Sequence, residues 1–324
     1  TDHLEQSTEK LPRERLWRVR AKQVVLATGA IERPLVFSNN DRPGVMLASA
    51  VSTYLIRYGV CAGRKTLIFT NNDSAYRTAL DLHGVGAEVA AIVDVRTKLR
   101  SDLVSAVKAL DIPIFEGHGV IDVRSGLGGI RSAMIARLSD SLDDVLMHKG
   151  EIRCDTIAVS GGWNPAVHLH AQSGGKPQFS DHCASVIPGM SIQKETSAGG
   201  SNGTFGLLNC LREGIEAGQS AAENAGFKTE LALDIPAVKS FQEELVRPIW
   251  VVPNGLKEGR GGKKFIDYQN DTTVADILLA VREGYRSVEH LKRYTALGFG
   301  TDQGKLGNIN GMAMRSSLPR LQYT

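Results

Sequence analysis

An α/β fold built from nucleotide-binding β-α-β units is what this sequence predicts, and three observations carry the prediction. Val24 to Ala27 is an apolar run closed by Thr28-Gly29-Ala30, which reads as a buried strand ending in a sharp turn. Lys65 to Phe69 is a second such run, followed by a polar turn, a helical pattern through Leu82 and a further strand, Glu88 to Val93. That unit is about 30 residues long, the size of one nucleotide-binding half. Cys154 to Ser160 is a third buried strand, closed by Gly161-Gly162-Trp163-Asn164-Pro165.

The elements follow in order. Leu16 to Val19 and Gln23 to Ala27 read as strands. Ala48 to Tyr58 has the i, i+3, i+4 spacing of a helix in Ala50, Val51, Tyr54, Leu55 and Tyr58. Ser101 to Leu110 reads as a helix. Pro113–Phe115, Gly119–Val123, Ile130–Leu138 and Val145–His148 suggest short strands in a meander. Ala198 to Phe205 is a glycine-rich loop before a helix from Leu207 to about Ala222. Val251 to Gly262, rich in Pro, Gly and Lys, reads as a linker. Thr273 to Tyr294 looks like a helical pair, with Thr273-x-x-Asp276 as a capping box. Ile277, Val281, Tyr285 and Val288 would line one face of it.

Composition narrows the function classes. A length of 324 residues allows two or three domains, and 42% hydrophobic content with 34 glycines suits an α/β protein with many tight turns. A net charge of +3 argues for neither nucleic acid nor a membrane surface. No apolar run approaches the roughly 20 residues of a spanning helix. Cys61, Cys154, Cys183 and Cys210 are scattered, without metal-ligand spacing, which fits a reducing, cytoplasmic compartment. His168 and His170 form an H-x-H pair with no third ligand nearby in sequence, so no metal site is expected.

The candidate site comes from the glycine turns. A glycine-rich loop at a helix N-terminus presents backbone N–H groups and the positive dipole end to an anion. Thr28 and Gly29 are therefore paired with Ala198, Gly199, Asn202, Gly203, Thr204 and Phe205 as the wall of a dinucleotide pyrophosphate site. The second unit is degenerate: Thr70, Asn72 and Ala75 stand where G-x-G-x-x-G requires glycine, and Asp73 adds negative charge where phosphates would sit. Asp94, at the position of a ribose-binding acid, reads as a solvated strand end. Asp143-Asp144 and Glu243-Glu244 read as solvated faces, and no residue is singled out as a catalytic acid or base. The fingerprint that opens such a domain is absent before Val24. The chain starts on a polar run, Thr1 to Arg15, without Met, so an interior piece of a longer polypeptide is expected.

Four phrases carry a family resemblance: ATGAIERPLVFSNNDRPGVM from Ala27, TNNDSAYRTALDLH from Thr70, SGGWNPAVHL from Ser160, and VEHLKRYTALGFGTDQGK from Val288. Together they resemble the α subunit of heterotetrameric sarcosine oxidase, and the similarity covers nearly the whole chain. The resemblance implies a two-dinucleotide-binding-domain flavoprotein-like fold: a discontinuous Rossmann-type domain, an inserted second one and a small helical module. The expected division is 1–60 with 151–225, an insert at 61–150, a linker at 226–264, the module at 265–313, and from 314 the start of an absent folate-binding domain.

In related oxidoreductases the small module carries C-x-C and C-x4-C for an iron–sulfur cluster. Asp267, Gln269, Asp302 and Gly307 occupy those places here, so the cluster is not expected. Lys305 beside them either faces a phosphate or a partner, or is simply exposed. The resemblance further implies oxidative demethylation of sarcosine to glycine with O2. The products are H2O2 and formaldehyde or 5,10-methylenetetrahydrofolate. A non-catalytic NAD would lie against Thr28, Gly29 and the 198–205 loop. FAD belongs to the β subunit and FMN to the α–β interface, tetrahydrofolate is co-substrate, and β, γ and δ subunits are partners. Two other readings stand beside it: the α subunit of a proline or opine dehydrogenase or oxidase, and a non-catalytic nucleotide-binding scaffold.

Overall fold

The computed structural model describes residues 16–228, 234–238, 244–256 and 260–317. The polar run Thr1 to Arg15 lies outside them. In chain order the first elements are β1 (Val24–Leu26), β2 (Ala30–Glu32), β3 (Val45–Leu47), α1 (Ala48–Tyr58), β4 (Lys65–Thr70), α2 (Ser74–Gly84), β5 (Glu88–Asp94), α3 (Asp102–Lys108) and β6 (Ile114–Glu116). Then come β7 (His118–Gly126), β8 (Gly129–Leu138), β9 (Val145–Arg153), β10 (Thr156–Ser160), β11 (Trp163–Pro165), α4 (His168–Gln172), β12 (Gln178–Ser180), β13 (Ser185–Ile187) and β14 (Glu195–Ser197). A 3-10 turn at Gly199–Asn202 leads into α5 (Leu207–Asn224), and the chain continues with β15 (Phe265–Asp267), β16 (Thr272–Thr273), α6 (Val274–Arg282), α7 (Val288–Thr295) and α8 (Asn308–Ser317).

The centre is a parallel sheet in the order β3-β10-β4-β5-β6. Its strands are apolar on both faces because both faces are covered, as parallel sheets require. Alternation then divides the residues between two cores. Leu67, Phe69, Ala91, Val93, Ile157 and Val159 face the antiparallel meander β7-β8-β9. Ile68, Ile92 and Ala158 face α1, α2 and α3. Gly59 ends α1 in the left-handed region, and Ser101 caps α3 through the Val104 amide. A third core joins Ile266 of β15, Ile277 and Ala280 of α6, Leu291 of α7 and Leu297 beyond it to Val36. The capping box of Thr273 and Asp276 starts α6. Val281 and Tyr285 join this core at its edge.

Several expectations change. Residues 16–19 form no strand, and Leu16, Trp17 and Val19 are 87%, 77% and 80% exposed. A strand needs a ladder partner, and none of the described residues supplies one there. β1 is buried only at Leu26; Val24 and Val25 stay exposed, because β14 is its one ladder partner among the described residues. β3 and β10, from either side of residues 61–150, join β4 and β5 in one sheet, and α1 packs on its helix-side core. The segment read as a linker is more than a tether: Ile249 and Val252 are buried in the meander core, and the Val252 amide bonds to Val36 O. α8 runs through the division expected at 313/314.

Candidate functional site

The two glycine turns read from sequence meet in space. A Cβ on Gly200 would lie 3.3 Å from both Ala30 N and Gly29 C, so the 198–205 loop rests directly on the Thr28-Gly29 turn. Leu26 O at the end of β1 accepts from Ala198 N and from Ser201 Oγ, both at 2.9 Å. Thr28 Oγ1 donates to Ala166 O at 2.9 Å, and Ala166 N returns a bond of equal length to Gly29 O. Gly29 has φ +73°, and nothing lies within 4 Å of where its Cβ would stand. Glycine is the residue that holds this conformation without cost and leaves the space above the turn free.

The loop is braced from behind by α5. Glu213 accepts from Gly199 N at 2.6 Å and from Asn202 Nδ2 at 2.5 Å. Thr204 N bonds to Gly199 O, and Cys210 Sγ donates to Thr204 O. Phe205 O accepts a long bond from Asn209. The N-cap of α5 is Gly206, with no side-chain cap and no acidic residue in the first turn. Its first amides therefore keep their donor capacity. Gly203 serves a different purpose from Gly29: at φ +80°, its Cβ would lie 2.9 Å from Ile187 Cγ2, so β13 and not a ligand demands glycine there.

The crevice at the C-terminal ends of β4 and β5 is built in the opposite way. Asn72 Oδ1 accepts from Ser74 N and Ser74 Oγ, capping α2 with the loop's own side chain. Trp163 Nε1 donates to Ser74 Oγ at 2.9 Å, over the same helix end. Asp94 is not a solvated strand end. It is fully buried, accepts from Arg96 N and Arg96 Nε, and takes the Tyr76 hydroxyl at 3.0 Å. Arg96 Nη2 lies 2.8 Å from both Asp94 Oδ2 and Asp73 Oδ1. Burial works against the Arg96 charge, but Asp94 and Asp73 outweigh it and hold its pKa above the ordinary arginine value. Burial and the Asp94 charge push the Tyr76 phenol far up, so it stays a donor. Glu244 is likewise no solvated face: its carboxylate accepts from Arg100 N and its amide donates to Asp73 Oδ2. Asp143 remains exposed, bonded to Ser139 and Ser141.

At the small helical module, Gln269 Oε1 accepts from Asp302 N at 3.2 Å, and the Asp302 carboxylate takes the amides of Gly304 and Leu306. Asp267 Oδ2 accepts from Gly298 N at 2.7 Å. A Cβ at 307 would lie 2.5 Å from Ile266 O, leaving no room for a cysteine. Hydrogen bonds thus tie together positions that the resemblance marks for cluster ligands. Lys305 is exposed; its carbonyl accepts from Asn164, and burial together with the Lys305 charge lowers the pKa of nearby His168. His170 is buried against Glu195. Among the described residues no group of three or more His, Cys, Asp or Glu is placed to hold a metal ion.

Besides Arg96, two buried charges escaped the sequence reading. Glu32 sits under the start of α1, its Oε2 accepting from Ser49 N, and burial raises its pKa. Arg33, 2% exposed, donates to Gly161 O, Asn164 Oδ1 and Ala184 O and lies over the Trp250 ring. Burial lowers its pKa to about 10.

The parallel sheet between helices and a meander, beside the pair of glycine turns, defines an α/β protein of the two-dinucleotide-binding-domain kind. In fold it is similar to L-proline dehydrogenase from P. horikoshii, with a TM-score of 0.62 at 19% identity over 91% of this chain and 52% of that one. In sequence it is similar to the α subunits of sarcosine oxidase. It is 41% identical to that of Corynebacterium sp. (strain P-1), over 92% of this chain and 30% of the relative. It is 40% identical to that of Rhizobium meliloti (strain 1021), over 96% of this chain and 30% of the relative. Residues 261–323 match the sarcosine oxidase A3 domain. The chain spans about 30% of the length of these relatives. The resemblance read from the four phrases therefore holds along nearly the whole chain. No described helix is long and apolar enough to cross a membrane.

Proposed function

We propose that this chain is a portion of a sarcosine oxidase α subunit, a cytoplasmic oxidoreductase component assembled with β, γ and δ subunits. The complex oxidises the methyl–nitrogen bond of sarcosine by two electrons. O2 accepts them as H2O2, and the one-carbon unit leaves as formaldehyde or 5,10-methylenetetrahydrofolate. FAD on the β subunit and FMN at the α–β interface carry the redox chemistry, and tetrahydrofolate belongs to a domain beyond residue 314. This chain's own part is to hold a non-catalytic NAD and to meet the flavin-bearing β subunit. Its division into a discontinuous first domain, an insert and a small module is part of the same reading.

The observation that supports it is the contact between the two glycine turns. The free space above Gly29 admits a ligand against the backbone. The first amides of α5, uncapped and beside the 198–205 loop, supply donors for a pyrophosphate. Thr28 and Asn202 have their side chains engaged within the protein, so they position the turns rather than reach outward. The amides of Ala198, Gly199, Gly203 and Thr204 are bonded within the protein and hold the loop's shape, so that with Phe205 they form a wall against which the ligand rests. A dinucleotide kept in this crevice stabilises the fold without turning over.

The experiment is co-expression of the full-length α chain with its partner subunits, followed by cofactor extraction and an assay for peroxide. NAD with FAD and FMN, and peroxide on sarcosine, is the expected result. Flavin with turnover only on proline or an opine would assign the chain to those dehydrogenases. Neither cofactor nor turnover would leave a non-catalytic scaffold.

A further inference from the structure

The crevice at the C-terminal ends of β4 and β5 is where a doubly wound sheet receives a dinucleotide. We propose that here it is liganded internally: Arg96 fills the phosphate position, and Glu244–Arg247 closes over it as a strap, so that no pyridine nucleotide enters the inserted unit. Three independent sets of contacts carry this.

The first is charge. A pyrophosphate would need positive groups facing it, yet the two carboxylates of Asp73 and Asp94 already share the Arg96 guanidinium, with all three side chains no more than 5% exposed. Only Nη1 of Arg96 is left without a partner among the described residues, too little to hold a pyrophosphate. The ribose-binding acid is spent as well, since Asp94 takes Arg96 and the Tyr76 hydroxyl.

The second is the helix end. The amide of Ser74 at the start of α2, which would face a phosphate, bonds to Asn72 Oδ1, and Thr70 Oγ1 accepts from Asn72 N. The loop is closed on itself.

The third is the strap. Glu244 N donates to Asp73 Oδ2 at 2.6 Å, and Arg247 N donates to Asn71 O at 3.2 Å. The Arg247 guanidinium reaches Val95 O at 3.2 Å and also Asp140 O. Four residues distant in sequence thus bind the loop after β4, the end of β5 and the turn before β9. In a protein whose second unit took reducing equivalents from a nicotinamide, this crevice would have to open. Here the same groups serve as a strut between the sheet and the segment leading to the C-terminal helices.

Hydrogen exchange on the full-length chain in its assembled complex tests the proposal. The amides of Glu244, Arg247 and Ser74 are expected to exchange at least about a hundredfold slower than in a free peptide. Millimolar NADH or NADPH is expected to leave those rates within twofold. Arg247→Ala removes the strap's two guanidinium anchors, to Val95 O and Asp140 O, and keeps the buried ion pair. It should raise exchange at Glu244 and Arg247 at least about tenfold while Ser74 stays protected. Strap amides exchanging as in a free peptide, or a nucleotide-induced slowing at Asn71–Ser74, would overturn the proposal. So would an unchanged strap in Arg247→Ala.

Discussion

At the first pair of turns open space stands above Gly29 and the start of α5 is uncapped; at the second, the Ser74 amide is bonded to Asn72 and the Asp73 and Asp94 carboxylates are held by Arg96. Both are strand-turn-helix corners of one α/β pattern. They differ in a handful of side chains: Asn72, Asp73 and Arg96 on one side, Gly29 and Gly199 on the other. A corner of this kind binds an anion only while its donors stay unspent, and a single buried arginine with two carboxylates is enough to spend them.

The comparison breaks hardest at Arg96. Arg96→Ala leaves Asp73 and Asp94 buried without a counter-charge and should cost about 3–5 kcal/mol. Chemical denaturation would read it, and a loss under about 1 kcal/mol would mean the pair is hydrated. Next comes Asp267, which braces the helical module. Burial pushes its carboxyl up, but the amides of Gly298, Gln269 and Asn270 with the Asn270 side chain outweigh it and hold the pKa below the ordinary value. A carboxylate depressed in the folded state contributes stability that is present above its unfolded pKa, near 4, and is lost as pH falls through the folded value. Asp267→Ala should cost about 2–3 kcal/mol at neutral pH, and less in acid. An equal cost at pH 7 and well below pH 4 would contradict this.

Tyr76→Phe removes one buried hydroxyl from Asp94 and should cost about 1 kcal/mol. At the open corner, Gly29→Asn should change stability least, by about 1 kcal/mol or less, because asparagine tolerates the left-handed region and its side chain enters free space. It should nevertheless abolish NAD retention in the assembled complex, measured by extraction. Gly203→Val is a poorer probe, since its branched side chain collides with Ile187 whether or not a ligand is bound.

Much of the scaffold was legible from pattern. α1 falls where the i, i+3, i+4 spacing of Ala50, Val51, Tyr54, Leu55 and Tyr58 places it, although Val51 and Leu55 face the core and Tyr54 and Tyr58 face outward, and β4, β5 and β8 coincide with strands read from the sequence. The three-residue strands β2, β3, β11, β12, β13, β14 and β15 did not show, because so few residues display no period. Asp94 was misread because its burial is set by the fold: its partner Tyr76 lies on α2, the Asp73 that shares Arg96 with it lies before that helix, and only Arg96 is near in sequence. The D-x-R spacing was the one available signal. The strap had none, since Glu244 and Arg247 are polar and irregular and meet Asp73 and Asn71 from the far side of the chain. Arg33 was equally silent, its oxygen partners being assembled from the turn before β11, the Asn164 side chain on β11 and the turn before β13. The glycine turns were legible as a pair because each sits at a strand's end before a change of direction.

The central claim is that the two corners have divided, one open to a dinucleotide and one closed on itself. The most direct test is a hydrogen-exchange footprint of NAD on the full-length α chain in its complex, comparing protein as isolated with protein stripped of nucleotide. The account predicts added protection at Leu26–Ala30 and Ala198–Phe205 and none at Thr70–Ser74. Protection at Thr70–Ser74, with the first corner unchanged, would contradict it.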